Sequence, residues 1–236
     1  MTITDQVLGP LLRADPAKPR ITHYDDATGS RVELSGATLA NWAAKTANWL
    51  RDELDVQPGD PVAVLLPPHW QTAGVLLGAW WCGATVVTSA VGAAVALCGI
   101  DRIGDAEGSD ELAALGLDAW GMGLTALPPG VRDFVSEARV HGDTFQPGGS
   151  GPDTETVLAS ARAQAAALDL SAEDRLLCTT GWDATATGDV LLAVLTADAS
   201  LVQCTHTDLA ALPRRCAAER VTVTLGVDVP PLRCAG

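Results

Sequence analysis

Lysine is almost missing from this chain of 236 residues, occurring only at Lys18 and Lys45. The scarcity follows a bias toward alanine and arginine and is not itself a functional signal. Paired cysteine motifs are missing too. Cys82, Cys98, Cys178, Cys204, Cys216 and Cys234 stand far apart, with no C-x-x-C and no histidine cluster, so zinc-type ligand spacing is excluded. Positive charge is in deficit. A net charge of -14 opposes nucleic acid or an anionic membrane as partner, because long-range repulsion would have to be overcome. The N-terminus "MTITDQVLGPLLRADP" lacks the basic start and apolar core of a signal peptide, and with unpaired cysteines the expected setting is a reducing cytoplasm.

Charge of either sign is absent from residues 61–100, long enough to raise the question of a membrane span. Pro67, Pro68, Gln71, Gly83, Thr85, Thr88, Ser89 and Gly92 break that run into short pieces. The β-branched cluster at 85–88 suits a buried parallel strand. A soluble α/β core is the expectation, and 47% hydrophobic with 19% charged residues fits a globular chain.

What is present is punctuated clearly. "ITHYDDATGSRVELS" reads as a hairpin turning at Gly29. Ser35 is placed to cap a helix over about 37–54, with Leu39, Trp42, Ala43, Thr46, Trp49 and Leu50 on one buried stripe. "QPGD" ends it. Residues 61–66 then form an apolar strand, 69–82 a helix stopped by Gly83, and 85–88 a parallel neighbour reached by a right-handed crossover. Strand regions follow at 91–100 and, weakly, 111–117. "TFQPGGSGPDT" (144–154) marks a boundary between a lobe at 1–147, with an N-terminal helix and the hairpin, and a shorter lobe at 148–236. Thr207 is placed to cap a helix reaching about Glu219 with a kink at Pro213, and Val221–Val227 is a β-branched strand.

The same unit occurs twice. "VLLGAWWCGATVV" (75–87) aligns without a gap to "VLLAVLTADASLV" (190–202), and "LDVQPGDPVAV" (54–64) to "LDLSAEDRLLC" (168–178) at a spacing one residue shorter. The second copy carries Asp189 and Asp198 where the first is uncharged, which suits a soluble fold. The fold class expected is therefore α/β, with two similar doubly wound, mostly parallel-sheet lobes.

In such sheets ligands bind outside the carboxyl ends of the strands. Two loops fall there: 67–70, with Trp70, and "TTGWDATATGD" (179–189). The second offers Thr179, Thr180, Gly181, Trp182 and Asp183 as candidate ligand-binding residues, combining hydroxyls, a carboxylate and close backbone approach. "GGSGPDT" (148–154) lacks the G-K-[ST] ending of a phosphate loop and reads as a linker. "VHGD" could set His141 beside Asp143 for acid–base work, with no evident nucleophile.

The stretch "LSGATLANWAAKTANWLRDELDVQPGDPVAVLLPPHWQTAGVLLGAWWCGATVV" (34–87) resembles the opening lobe of adenylate-forming enzymes, the AMP-binding acyl- and aryl-CoA synthetases. "LDLSAEDRLLCTTGWDATATGDVLLAVL" (168–195) and "AAERVTVTLGVDVP" (217–230) resemble their second lobe. The resemblance implies two doubly wound lobes, and an acyl-pocket contact in the loop holding Trp182. It also implies a Ser/Thr/Gly-rich phosphate loop ending in Pro-Lys-Gly, where this chain has "GGSGPDTET". The family's adenine-gripping segments and mobile C-terminal lysine domain find no counterpart here. The expectation is a catalytically incomplete relative with no cofactor, no metal and no catalytic residue. Its partner would be a small acyl or aryl ligand, another protein or a second copy. The alternative is an enzyme with a relocated site at His141, Asp143 and Trp182.

Overall fold

The computed structural model describes residues 1–182 and 190–235. Helix α1 (Ile3–Ala14) leads into the hairpin, β1 (Pro19–Asp25) and β2 (Ser30–Ser35), and then α2 (Gly36–Asp52). β3 (Pro61–Leu65), α3 (Trp70–Cys82), β4 (Thr85–Val87), β5 (Val95–Gly99), β6 (Glu111–Leu115), β7 (Val131–Asp133) and α4 (Phe134–Arg139) follow. The remainder is α5 (Thr154–Ala167), β8 (Arg175–Cys178), α6 (Val190–Thr196), β9 (Ser200–Thr205), α7 (Leu212–Glu219), β10 (Val223–Leu225) and β11 (Arg233–Cys234).

The helices begin where the sequence can satisfy their orphan N–H groups. Thr2 and Asp5 form a reciprocal capping box on α1, and Ser35 accepts from the Thr38 amide at the start of α2. Leu39, Ala43, Thr46, Trp49 and Leu50 are buried along α2, as their spacing predicts. α3 is different: all of its 13 residues except Trp81 are buried. A helix covered on every face needs no polar stripe, which accounts for the charge-free run. Among the described residues no helix is long and apolar enough to cross a membrane.

β3 to β7 form one sheet in the order β4-β3-β5-β6-β7, and the other runs β11-β10-β8-β9-β1-β2. The same winding therefore starts twice: β4-β3-β5-β6 in one sheet, β9-β8-β10-β11 in the other, with parallel neighbours throughout. The repeat holds bond for bond. Pro61 pairs with Thr85, and Arg175 with Ser200, the residues that the two aligned segments equate. The Gln57 amide donates to the Asp60 carboxylate at 2.8 Å, and the Ser171 amide to that of Asp174 at 2.8 Å. Asp55 and Asp169 both take φ 51°, while the stops after α3 and α6 are left-handed at Gly83 and Asp198. Asp189 lies outside the described residues.

The hairpin, expected with residues 1–147, joins the sheet built mainly from residues 175–234. β1 runs parallel to β9, Ile21 opposite Leu201 and Asp25 opposite Thr205, and β2 closes that edge. Buried Arg20 fastens it by donating to the Asp198 carbonyl at 2.8 Å, so the acidic stop of the second copy anchors the hairpin. A second clamp lies across the sheet. Glu219 accepts from Tyr24 at 2.6 Å, Arg31 at 2.8 Å and Arg175 at 2.6 Å. Burial alone would raise the pKa of the Glu219 carboxyl, but these donors outweigh it and lower it to about 2.

Several expected boundaries shift, among them that of the strand region at 91–100, which is strand only over Val95–Gly99. Asp208, not Thr207, caps a 3-10 turn at Leu209–Ala211, and Pro213 sits in the first turn of α7, where a missing N–H breaks no helix bond, rather than kinking it. The strand expected over Val221–Val227 shortens to Val223–Leu225 because Gly226 turns to φ +78°. The strand expected to Leu117 ends at Leu115, before Leu117 adopts φ +52°.

α2 and α3 approach closely through glycine. A methyl on Gly78 would lie 2.6 Å from Thr46 Cγ2 and 2.8 Å from the Ala43 carbonyl oxygen. Gly78→Ala should therefore lose about 2 kcal/mol despite alanine's better helix propensity, lowering the thermal midpoint by roughly 4–8 °C. Gly9→Ala in α1, which meets only the flexible end of Arg13 at 3.3 Å, should be neutral or stabilising. Calorimetry on both variants checks this; an unchanged midpoint for Gly78→Ala would contradict the packing.

Candidate functional site

The carboxyl ends of both sheets open into one cleft. Its deeper part is a cavity of about 440 Å³ outside the ends of β3, β5 and β6, where the winding of the first sheet reverses direction. Pro67, Pro68 and His69 form one wall, and Leu115 and Leu117 another. The opposite side comes from the other sheet: His23 and Asp25 of β1, Thr205 at the end of β9, and His206. A shallower depression shares Pro68, Thr205 and His206 with it and continues to Thr179, Thr180 and Gly181.

The Pro67–Trp70 segment replaces a glycine loop with a different device. The Thr72 hydroxyl donates to the Pro67 carbonyl at 2.7 Å, and His69 caps α3 by accepting the Gln71 amide on Nδ1 at 3.2 Å. Trp70 is turned inward, packed edge-on against Trp42 at 5.6 Å, and belongs to the core.

His69 meets His23 edge-to-face, ring centroids 4.5 Å apart, although 46 positions separate them in the chain. Burial lowers both: His23 to about 4, with Asp25 opposing and His206 adding to the shift, and His69 to about 3, with His23 adding. Both rings are neutral at pH 7, and their tautomers follow from their partners. The Thr205 hydroxyl spends its one hydrogen on the Tyr24 carbonyl at 3.2 Å, so it must accept from His23 Nε2 at 3.1 Å. His23 Nδ1 is then a bare acceptor, buried and without a partner among the described residues. His69, accepting on Nδ1, carries its proton on Nε2. At the rim His206 Nδ1 lies 2.7 Å from Asp25 Oδ1. Burial raises Asp25, but bonds from His206, the Ala27 amide and Thr28 prevail and lower it. Among the described residues no group of three or more His, Cys, Asp or Glu side chains could hold a metal ion.

Of the candidates read from the sequence, Thr179, Thr180 and Gly181 line the depression. Trp182 packs against the main core and donates from Nε1 to Gln203 at 2.8 Å. Asp183 lies outside the described residues. Buried Gln203, which sequence reasoning missed, also donates to the Thr180 carbonyl at 3.1 Å and so fastens the loop to β9. His141 and Asp143 turn to different partners: His141 lies 3.7 Å from Glu53, and Asp143 pairs with Lys45 at 2.8 Å. Lys45 further donates to the His141 carbonyl at 2.6 Å, and Lys18 to the carbonyls of Ala172 at 2.9 Å and Asp198 at 2.8 Å. Within 148–151, Gly149 packs on the Pro58 side chain and Gly151 on backbone; a methyl on Gly151 would lie 2.6 Å from the Gly83 carbonyl oxygen.

The architecture is that of the N-terminal part of adenylate-forming enzymes. Residues 13–94 match the family described as AMP-binding enzyme. The N-terminal domain of FACL13 from Mycobacterium tuberculosis superposes with a TM-score of 0.69 at 19% identity, over 96% of this chain and 62% of that one. An acetoacetyl-CoA synthetase from Streptomyces lividans gives 0.77 at 16% identity, over 95% of this chain and 42% of that one. The chain thus spans about half the length of these solved relatives. A protein of Mycobacterium tuberculosis described as a TIGR03089 family protein is 49% identical over 95% of this chain and 98% of its own length. The chain belongs to the TIGR03089 family.

The histidine pair has a thermodynamic consequence. An unfolded histidine titrates near 6.5, so between that value and about 4 the unfolded chain binds protons that folded His23 and His69 refuse. Stability is therefore lost as pH falls, by about 2 kcal/mol per imidazole between pH 7 and pH 5. Urea unfolding at the two pH values measures it. His69→Asn, which keeps an N-cap acceptor, should roughly halve the loss; equal stability of the wild type at both pH values would contradict neutral burial.

Proposed function

We propose that this protein is a catalytically incomplete relative of the AMP-binding synthetases that binds a small acyl or aryl molecule in the Thr179–Trp182 part of the cleft and does not adenylate it. One observation carries the reading: both lysines are committed to backbone carbonyls, while the glycine-rich segment that stands in place of a phosphate loop contains none. Adenylation gathers negative charge on the transferring phosphates, and catalysis of phosphoryl-type transfer rests on positioning and cationic stabilisation. Gly149 and Gly151 of that segment serve close packing against Gly83 instead.

Ligand binding is supported by the depression itself. Hydroxyls of Thr179 and Thr180 and the exposed backbone of Gly181 sit beside the apolar Pro68 and Leu209, a combination suited to a small molecule with one polar end. Trp182, tied to Gln203 behind that surface, would report occupancy through its fluorescence.

ATP–pyrophosphate exchange over a panel of short and aromatic carboxylic acids should stay at background, while some of these acids shift the Trp182 emission. Robust exchange by the pure protein would overturn the reading.

A further inference from the structure

We infer that His206 and Asp25 form a general-base dyad at the rim of the cleft, and that the protein hydrolyses small uncharged carboxylic esters held in the Thr179–Trp182 depression. The inference rests on the reading of that depression as an acyl or aryl site. Two adjacent strand ends make the dyad: Asp25 closes β1, Thr205 closes β9 opposite it, and His206 follows. His206 lines the depression as well as the deeper cavity. Its side chain is 68% exposed, whereas that of Asp25 is only 18% exposed. Asp25 is held from several sides. Its Oδ1 accepts from the Ala27 amide at 3.0 Å and from His206 Nδ1 at 2.7 Å, and its Oδ2 from the Thr28 hydroxyl at 3.1 Å. These donors keep Asp25 ionised at neutral pH, and an ionised carboxylate only accepts, so the neutral imidazole carries its proton on Nδ1. The lone pair is left on Nε2, in a ring open to water and hydrogen-bonded to no other described group. A carboxylate on the second nitrogen orients such a base and stabilises it once protonated.

Water is the nucleophile. The Thr179 and Thr180 hydroxyls are turned to the Leu225 carbonyl at 3.5 Å and to Cys178 Sγ at 3.2 Å. His206 Nε2 takes a proton from a water molecule as the water oxygen bonds to the ester carbonyl carbon and the carbonyl π pair moves onto its oxygen. When that pair returns, the bond from carbon to the leaving oxygen breaks, and the imidazolium gives its proton to that oxygen. One ester and one water thus become one acid and one alcohol. Charge sets the substrate class. The described residues lining the depression include no lysine or arginine, and the chain carries a net charge of -14. A phosphate-bearing leaving group would find no cation there and would be repelled at long range, so an uncharged ester is favoured.

The probes are 4-nitrophenyl acetate, butyrate and benzoate. The intact protein should hydrolyse at least one of them with saturation and repeated turnover, well above free imidazole at the same concentration. His206→Gln, a change at an exposed ring, should lower kcat about 10²-fold while the matching acid still shifts the Trp182 emission. Asp25→Asn should lower kcat at least tenfold with KM unchanged, and Asp25→Glu should restore part of it, as a positioning role requires. Cys234→Ser, which removes an exposed thiol able to react with such esters, should leave kcat unchanged. Emission shifts by the acids without turnover of any ester would make the dyad a surface hydrogen bond only; that overturns the inference and leaves the reading of the depression standing. Full turnover by His206→Gln would overturn it equally. Absence of both emission shifts and turnover would remove that reading and the inference with it.

Discussion

The enclosure of α3 governs this fold. A helix of 13 residues with only Trp81 partly open cannot exist beside water, so every neighbouring element is arranged to cover it. α2 presses on it through Gly74 and Gly78, α1 is tied to it by Thr4 bonding the Leu77 carbonyl and Trp81 bonding Asp5, and its own sheet supports it from β3 and β4. One side remains, and the hairpin of the other sheet fills it. Sealing α3 therefore requires residues 19–35 to leave the elements that follow them and pair with β9.

That requirement also makes the cleft. With β1 laid across the start of α3, His23 is brought against His69, the residue that caps the helix. Neither imidazole takes up a second proton there at neutral pH, and one nitrogen is left without a partner among the described residues. Such groups in a wall between two sheets are costly to bury and are characteristic of sites. The glycine-rich segment, by contrast, resembles a ligand loop in composition and does ordinary packing against Gly83.

Much of the architecture was legible because it is local or repeated. Ser35, Gly83 and the "QPGD" turn each act within a few residues, and the second copy of the unit keeps the apolar pattern of the first closely enough to predict its register. The hairpin's true partner was not legible. Pairing Ile21 with Leu201 is a contact across most of the chain, decided by what α3 needs covered rather than by any pattern in "ITHYDDATGSRVELS". The histidine pair was hidden for the same reason, although His69 at the exact start of a helix, directly after two prolines, was a usable signal. Trp182 stands out in the sequence as a polar-loop aromatic, yet its indole is turned to Gln203, a residue that looks unremarkable within an apolar strand. In the sequence Pro213 suggests a kink, because proline inside a helical pattern and proline at its beginning look alike until the cap at Asp208 is known.

Native-state amide exchange tests the central constraint most directly. If the hairpin is an integral strand pair sealing α3, the amides of residues 21–25 should exchange as slowly as those of residues 201–205, through the same global opening. Fast exchange in β1 with β9 still protected would mean that the hairpin is a detachable flap, and the account of α3 and of the histidine pair would fail with it.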